Sequence, residues 1–397
     1  MTRKETLLLL VLAFVQFTNI VDFMILMPLK PLLTDIWGIT PKQFGFAVFA
    51  YGFGAFLSSM FFVNKVDLYD RKKVLVLIYA GFTIGTFFCG MATNFVMLLT
   101  ARFVTGLFGG IAGSIIQSIV GDAIPGQRRG QAMGILMMGF ALASIAGVPG
   151  GLYLASHFSW YTPFLVLGGL CVLVFFGILA TVPNFTGHLL TAKKQSFIAL
   201  MKSVLGDSNR RSALLLTFVT MPSHFLIIPF LTDFFTKNLG FDYKTTVPLI
   251  YIVGGTLSAF TSPMIGKLSD RIGRFKVLAV LSVLSIIPLI GIPNMTTNST
   301  VILLMFTATF FIFSGSRMIL VMAHVTSTVE PKMRGAFLII NSSVQQFGTS
   351  LASLAGGFIV MQGLDGKLAN YPYLGYASVV FSGILLLAFT RVKALKD

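Results

Sequence analysis

Asp22 and Arg102 are the residues of this chain best placed to do chemistry, because each is a charged side chain set in a long apolar run. A charge near the centre of a bilayer costs at least ~2.5–3.5 kcal/mol on insertion scales, so an ionisable group at that depth is a functional candidate by default. Of the 13 acidic residues, only Asp22 falls well inside such a run, and Asp233 stands at the end of another. Arg102, Arg317 and His224 complete the interior set, with His324 near the end of its run. Burial favours a protonated carboxyl group and a neighbouring guanidinium favours the ionised one, while the guanidinium itself does not titrate. A change in their separation or hydration would therefore load or release a proton. On this reading Asp22 is a proton carrier or cation-binding carboxylate and Arg102 is its modulator. The plainer alternative is a static ion pair that satisfies two buried charges.

Other polar residues fall on the same apolar background. Gln16, Asn19 and Asp22 follow one another at i, i+3 and i+6, which predicts a polar flank on one helix, facing a substrate cavity. His224 is a candidate for substrate binding or shared proton handling, with packing as the alternative, and Arg317 could receive an anionic group or bond a backbone carbonyl. Gln117, Asn341, Gln345 and Gln346 are further candidates for substrate contacts or for hydrogen bonds between helices. No Ser/His/Asp, Cys/His or metal-ligand spacing is present. Cys89 and Cys171 each sit alone in apolar runs and read as packing residues. The chain also lacks a Gly-x-x-x-x-Gly-Lys-Ser/Thr segment, so neither an enzyme nor an ATP-driven pump is expected, and no cofactor beyond a coupling proton.

The elements that must position these residues follow from composition. Among 397 residues, 55% are hydrophobic and 11% charged, against roughly 25% charged in an average soluble protein. The apolar residues form runs of about 17–25, the length that crosses a ~30 Å core at 1.5 Å per residue. Twelve spans are predicted, at 6–28, 44–63, 74–92, 97–120, 133–155, 163–182, 212–233, 246–265, 277–293, 300–322, 336–360 and 372–390. The first is too long for a signal peptide and has no small-residue cleavage site. Asp22 would lie ~24 Å along span 1 and Arg102 at a matching ~22 Å in span 4.

The net charge of +16 takes its meaning from where the charges fall. With the N-terminus inside, 22 of the 29 Lys and Arg residues lie on the cytoplasmic side and five (Lys30, Lys42, Lys237, Lys244 and Lys367) in outer loops. That asymmetry is the positive-inside pattern and predicts cytoplasmic termini. The basic surplus then faces anionic membrane lipids rather than nucleic acid. Short loops without a transit peptide fit a bacterial cytoplasmic (inner) membrane.

A polar stretch at 183–211 separates six spans at 1–182 from six at 212–397. Across it, the segment 63–75 lines up with 266–278, so that Asp270 follows Asp67 and Arg274 follows Arg71 by 203 positions; Arg129-Gly130 recurs as Arg334-Gly335 after 205. Two such repeats about an axis along the membrane normal can rock around a midplane site and expose it to each side in turn.

These segments resemble the major facilitator superfamily, and within it the twelve-helix drug:proton antiporters and sugar exporters, over essentially the whole chain. The stretch 266–278 is similar to the family signature Gly-x-Leu-x-Asp-Arg-x-Gly-Arg-Lys; in the first half Val63, Leu68 and Asp70 stand where Gly, Arg and Gly are expected. The resemblance implies an all-α major facilitator fold of two pseudo-symmetric six-helix bundles, working as a monomer. It also implies a charged latch between the halves in the outward-facing state, carried here by Asp67, Arg71, Asp270 and Arg274. Arg102 to Gly106 resembles the Arg-x-x-Gln-Gly pattern linked to proton coupling, with Thr105 in place of glutamine. Gly147, Pro149, Gly150 and Gly151 resemble a shortened antiporter motif that packs helix 5 against helix 2. The expected function is proton-coupled export of small amphipathic or lipophilic compounds by alternating access. Efflux or symport of sugars or other metabolites, lipid or lysolipid transport, and a non-transporting receptor are the alternatives.

Overall fold

A computed structural model describes residues 1–65, 68–186, 189 and 196–394. Eleven helical segments among these are long and apolar enough to cross a membrane. Numbered by order, helices 1–10 are Arg3–Trp37, Pro41–Phe62, Arg71–Gly90, Phe95–Ala123, Arg129–His157, Thr162–Thr181, Ser208–Asn238, Thr246–Ile272, Arg274–Gly291 and Thr300–Thr326; helix 12 is Tyr371–Thr390. Helix 11, Pro331–Ile359, is equally long, and Asn341, Gln345 and Gln346 dilute its apolar character. All twelve predicted spans are therefore helices, in the fold of two six-helix bundles, and several run past their apolar cores by a turn.

The helix ends are set locally. Thr2 and Glu5 form a capping box at the start of helix 1, and Thr40 and Gln43 form another at helix 2, with Pro41 in its first turn. Between helices 8 and 9, Gly273 turns the chain in one residue at φ 98°, a conformation that excludes side chains with a Cβ. Its counterpart Asp70 solves the same corner differently. The Asp70 carboxylate accepts from the backbone N–H of Lys72 and caps helix 3, which accounts for one departure of the first half from the repeated signature. The predicted linker contains a short helix, Phe197–Gly206, whose buried Leu200 and Val204 join a core cluster with helices 7, 9 and 10.

Within the first bundle, small residues let helices 2 and 4 touch backbone to backbone. A Cβ at Gly106 would run into the Tyr51 carbonyl, and one at Gly54 would sit 2.5 Å from the Phe103 carbonyl oxygen. Between the bundles, helices 2 and 11 pack in the same way, through Gly45 against Ser353 and Leu354, Gly52 against Ser350, and Gly357 against Pro41. These contacts run from mid-helix to the end of the molecule opposite the termini. At that end a two-stranded hairpin, Met361–Gln362 with Leu368–Ala369, is held to helix 7 by paired hydrogen bonds between Asn238 and Leu368.

Candidate functional site

Helix 1 continues beyond its α-helical part, Arg3–Ile25, through a single 3-10 turn at Met27–Leu29 into Lys30–Trp37. Asp22 stands one turn before this change of pitch and is fully buried. Arg102 on helix 4 donates from one terminal nitrogen to the Asp22 carboxylate at 2.7 Å and to the Asp22 carbonyl at 3.0 Å. The second carboxylate oxygen accepts from the Thr86 hydroxyl of helix 3 at 3.1 Å. The guanidinium carbon lies 4.4 Å from the centre of the Tyr51 ring, which Gly106 allows helix 2 to bring close. The depth match expected from helical rise is met, since the structure brings Asp22 and Arg102 together in the first bundle. Asn19 donates to the Gly109 carbonyl at 3.2 Å, and Gln16 reaches to within 3.9 Å of where a Cβ on Gly113 would stand. The polar flank is turned towards helix 4.

The second bundle is built differently. Helix 7 is interrupted twice, running as Ser208–Thr220, Pro222–Phe225 and Ile228–Asp233 with prolines at the restarts. Arg317 of helix 10 is 1% exposed and donates to the Ser382 hydroxyl at 2.7 Å, the Ser314 hydroxyl at 3.3 Å and the Ser223 carbonyl at 3.4 Å. His224 stacks on Phe310 at 5.0 Å, and its buried Nδ1 has no hydrogen-bond partner among the described residues. Asn341 accepts from the Thr217 hydroxyl at 2.6 Å and so ties helix 11 to helix 7, while Gln345 is half-buried. His324 stacks on Phe389 with Nε2 3.1 Å from the Val392 carbonyl, near the terminus-bearing end.

Two sequence readings need correction. Lys30, read as an outer-loop charge, is fully buried inside a helix and paired with Asp233 of helix 7, so the pair joins the two bundles. The prolines Pro28 and Pro31, which are tolerated at the first positions of a new turn, are the signal in the sequence that the helix resumes. Close by, Lys237 and Asp35 form a second pair across the halves at 2.6 Å, this one exposed. The glycine-proline segment of helix 5 approaches helix 1 rather than helix 2: a Cβ at Gly147 would meet Val21, and one at Gly151 would meet Ile25. A π-turn at Ala143–Gly147 precedes Pro149, and Gly150 faces open space. Of the latch residues, Asp67 lies outside the described residues. Arg71 Nε is 3.0 Å from Asp122 in its own bundle; Arg274 is 3.9 Å from Asp270 and donates to the Ala323 carbonyl and the Ser327 hydroxyl in its own.

Two pseudo-symmetric bundles of membrane-spanning helices, with charges buried inside and between them, define a secondary transporter that works by alternating access. The chain belongs to the Major Facilitator Superfamily, whose family model matches residues 12–353 and again 214–396. It is 27% identical over 353 residues to the uncharacterized MFS-type transporter YceJ of Bacillus subtilis, covering 87% of each chain. It is 22% identical to the inner membrane transport protein YdhP of Escherichia coli K12, covering 91% of this chain and 89% of that one. A probable sugar efflux transporter of Mannheimia succiniciproducens is 23% identical, with 98% and 96% covered. Among solved structures, a bacterial homologue of the human lysosomal transporter Spinster, in an inward-facing and occupied conformation, superposes with a TM-score of 0.72 at 16% identity over 98% and 97% of the two chains. The nucleoside transporter NupG, as a D323A mutant, gives 0.74 at 16% identity over 97% and 99%. These superpositions bear on the fold.

Proposed function

We propose that this transporter exports small amphipathic or lipophilic compounds across the bacterial inner membrane in exchange for protons, with both termini cytoplasmic. The observation that carries the reading is the sealed Asp22–Arg102 pair, an acid and a permanent cation with three hydrogen bonds between them and Thr86. Protonating Asp22 removes the charge that Arg102 and Thr86 hold, so their geometry relaxes; rebinding the guanidinium expels the proton. Helix 5 links this event to the other half, because it packs on helix 1 through Gly147 and Gly151 and on helix 8 through Ser144 against Gly255. The contacts at the end opposite the termini, above all Lys30–Asp233, close that side in this structure. Asp67, Arg71, Asp270 and Arg274 would close the cytoplasmic side once that end opens. The rest of the cycle is rigid rocking of the two bundles around the substrate.

A second reading, efflux of sugars or related metabolites, is favoured by the likeness to the probable sugar efflux transporter over nearly the full length of both chains. Proteoliposomes with an imposed pH gradient separate the two. Uphill movement of amphipathic compounds, abolished by a protonophore, supports the first reading. Gradient-driven movement of sugars alone supports the second, and movement of any class that ignores the gradient removes proton coupling.

A further inference from the structure

Among the described residues, five charged side chains are buried within the membrane-spanning helices: Asp22, Lys30, Arg102, Asp233 and Arg317. Two acids neutralise two cations, Asp22 with Arg102 and Asp233 with Lys30. Arg317 is left over. Among the described residues no carboxylate lies within ion-pair distance of it, and it cannot shed its proton. Its neighbours are two serine hydroxyls and a backbone carbonyl, and its Nε is buried with no hydrogen-bond partner. An uncompensated buried cation is costly and persists where something else brings the opposite charge.

We propose that Arg317 is the anion subsite of this transporter, and that its substrate is an amphipathic molecule carrying a carboxylate or phosphate. The inference rests on the chain binding its substrate between the halves, as proposed above, and it replaces an unspecified compound with an anionic one. Three features support it beyond the missing counter-charge. Helix 7 is broken on both sides of Pro222–Phe225, and its Ser223 carbonyl already bonds Arg317; discontinuous helices of this kind form the binding sites of many transporters. His224, in the same broken segment, presents a second unpartnered nitrogen, and its stacking on Phe310 gives an aromatic surface beside the charge for the apolar part of the ligand. Phe310, Ser314 and Arg317 occupy i, i+4 and i+7 of helix 10 and so share one face. The site also borders the surface along which the halves part: Phe225, next to His224, packs on Phe23 of the other bundle with ring centres 6.3 Å apart. Separation of the bundles lifts that cover.

The test is binding to the full-length protein in phosphatidylcholine nanodiscs, read as saturable thermal stabilisation. The probes share one ring system and differ only in charge: 1-naphthoate, 1-naphthyl phosphate, 1-naphthylmethanol and 1-naphthylmethylamine. The anions are expected to bind at least tenfold more tightly than the alcohol and the amine. Arg317→Met is expected to erase that preference and Arg317→Lys to keep part of it. Lys42→Met, which removes an exposed cation from the other bundle, is expected to leave it intact. Should Arg317→Met not fold, His224→Ala carries the test, with a several-fold loss of anion affinity expected. Nanodiscs containing phosphatidylglycerol identify the source of the anion: competition by the lipid assigns the subsite to a headgroup, and its absence to a soluble anion. Equal binding of all four probes, no binding of either anion, or an anion preference that survives in Arg317→Met would overturn the proposal. Each of those results leaves proton coupling to be decided by the pH-gradient assay, and loss of coupling leaves the anion preference standing.

Discussion

The two bundles share a fold and treat buried charge in opposite ways. In the first, Arg102 is met by the Asp22 carboxylate, with Thr86 and Tyr51 completing the shell. In the second, the partners of Arg317 among the described residues are hydroxyls and a carbonyl. The difference extends to the backbone. The first bundle is drawn tight around its pair by Gly54, Gly106 and Gly110 between helices 2 and 4, whereas helix 7 of the second is broken twice beside its lone cation. A closed, neutral pair suits an internal switch; an open-ended cation suits a ligand. Duplication thus supplied the frame, and on the proposed reading the halves divide the work within it.

The largest expected effect sharpens that contrast through stability. Asp22→Ala strands Arg102 and is expected to cost about 3–5 kcal/mol, seen as a much lower melting midpoint in detergent. Arg317→Met, which removes a charge that no carboxylate among the described residues balances, is expected to be neutral or stabilising in the same assay. Equal losses at both positions would break the comparison. Next comes the pair between the halves: Asp233→Asn leaves Lys30 buried without its counter-charge and is expected to weaken closure by about 2–5 kcal/mol. Spin labels at Ile36 and Leu364, both exposed at that end, would then report longer distances, while Cys89 and Cys171 are buried. Gly106→Ala drives a Cβ into the Tyr51 carbonyl of helix 2 and is expected to cost about 1–3 kcal/mol, again by melting. Asp35→Asn is the smallest. Its pair with Lys237 is exposed, so a change within about 1 kcal/mol is expected, and a large one would show that exposed and buried pairs share the load at this end.

Much of this architecture is legible in the amino-acid sequence. Twelve apolar runs specify the helices, because length against the bilayer leaves few alternatives, and helical rise alone places Asp22 level with Arg102. The residues that escape such reasoning share a cause. Lys30 lies where an apolar run stops, and hydropathy cannot tell a charge in a loop from one sealed between two bundles. Asp233, its partner, is 203 residues away in the chain. On helix 5, Gly147 and Gly151 announce close approach without naming the neighbour, which is Val21 and Ile25 of helix 1 rather than any residue of helix 2. Arg317 is visible as a charge in an apolar span. Its lack of a carboxylate is apparent only with every buried acid placed in three dimensions.

Coupling through Asp22 is tested most directly by comparing wild type with Asp22→Asn in proteoliposomes, following a transported compound both as exchange at equal pH and as accumulation against its gradient under an imposed pH difference. The account predicts that exchange persists in the variant while uphill accumulation is lost. Full accumulation by Asp22→Asn would contradict it.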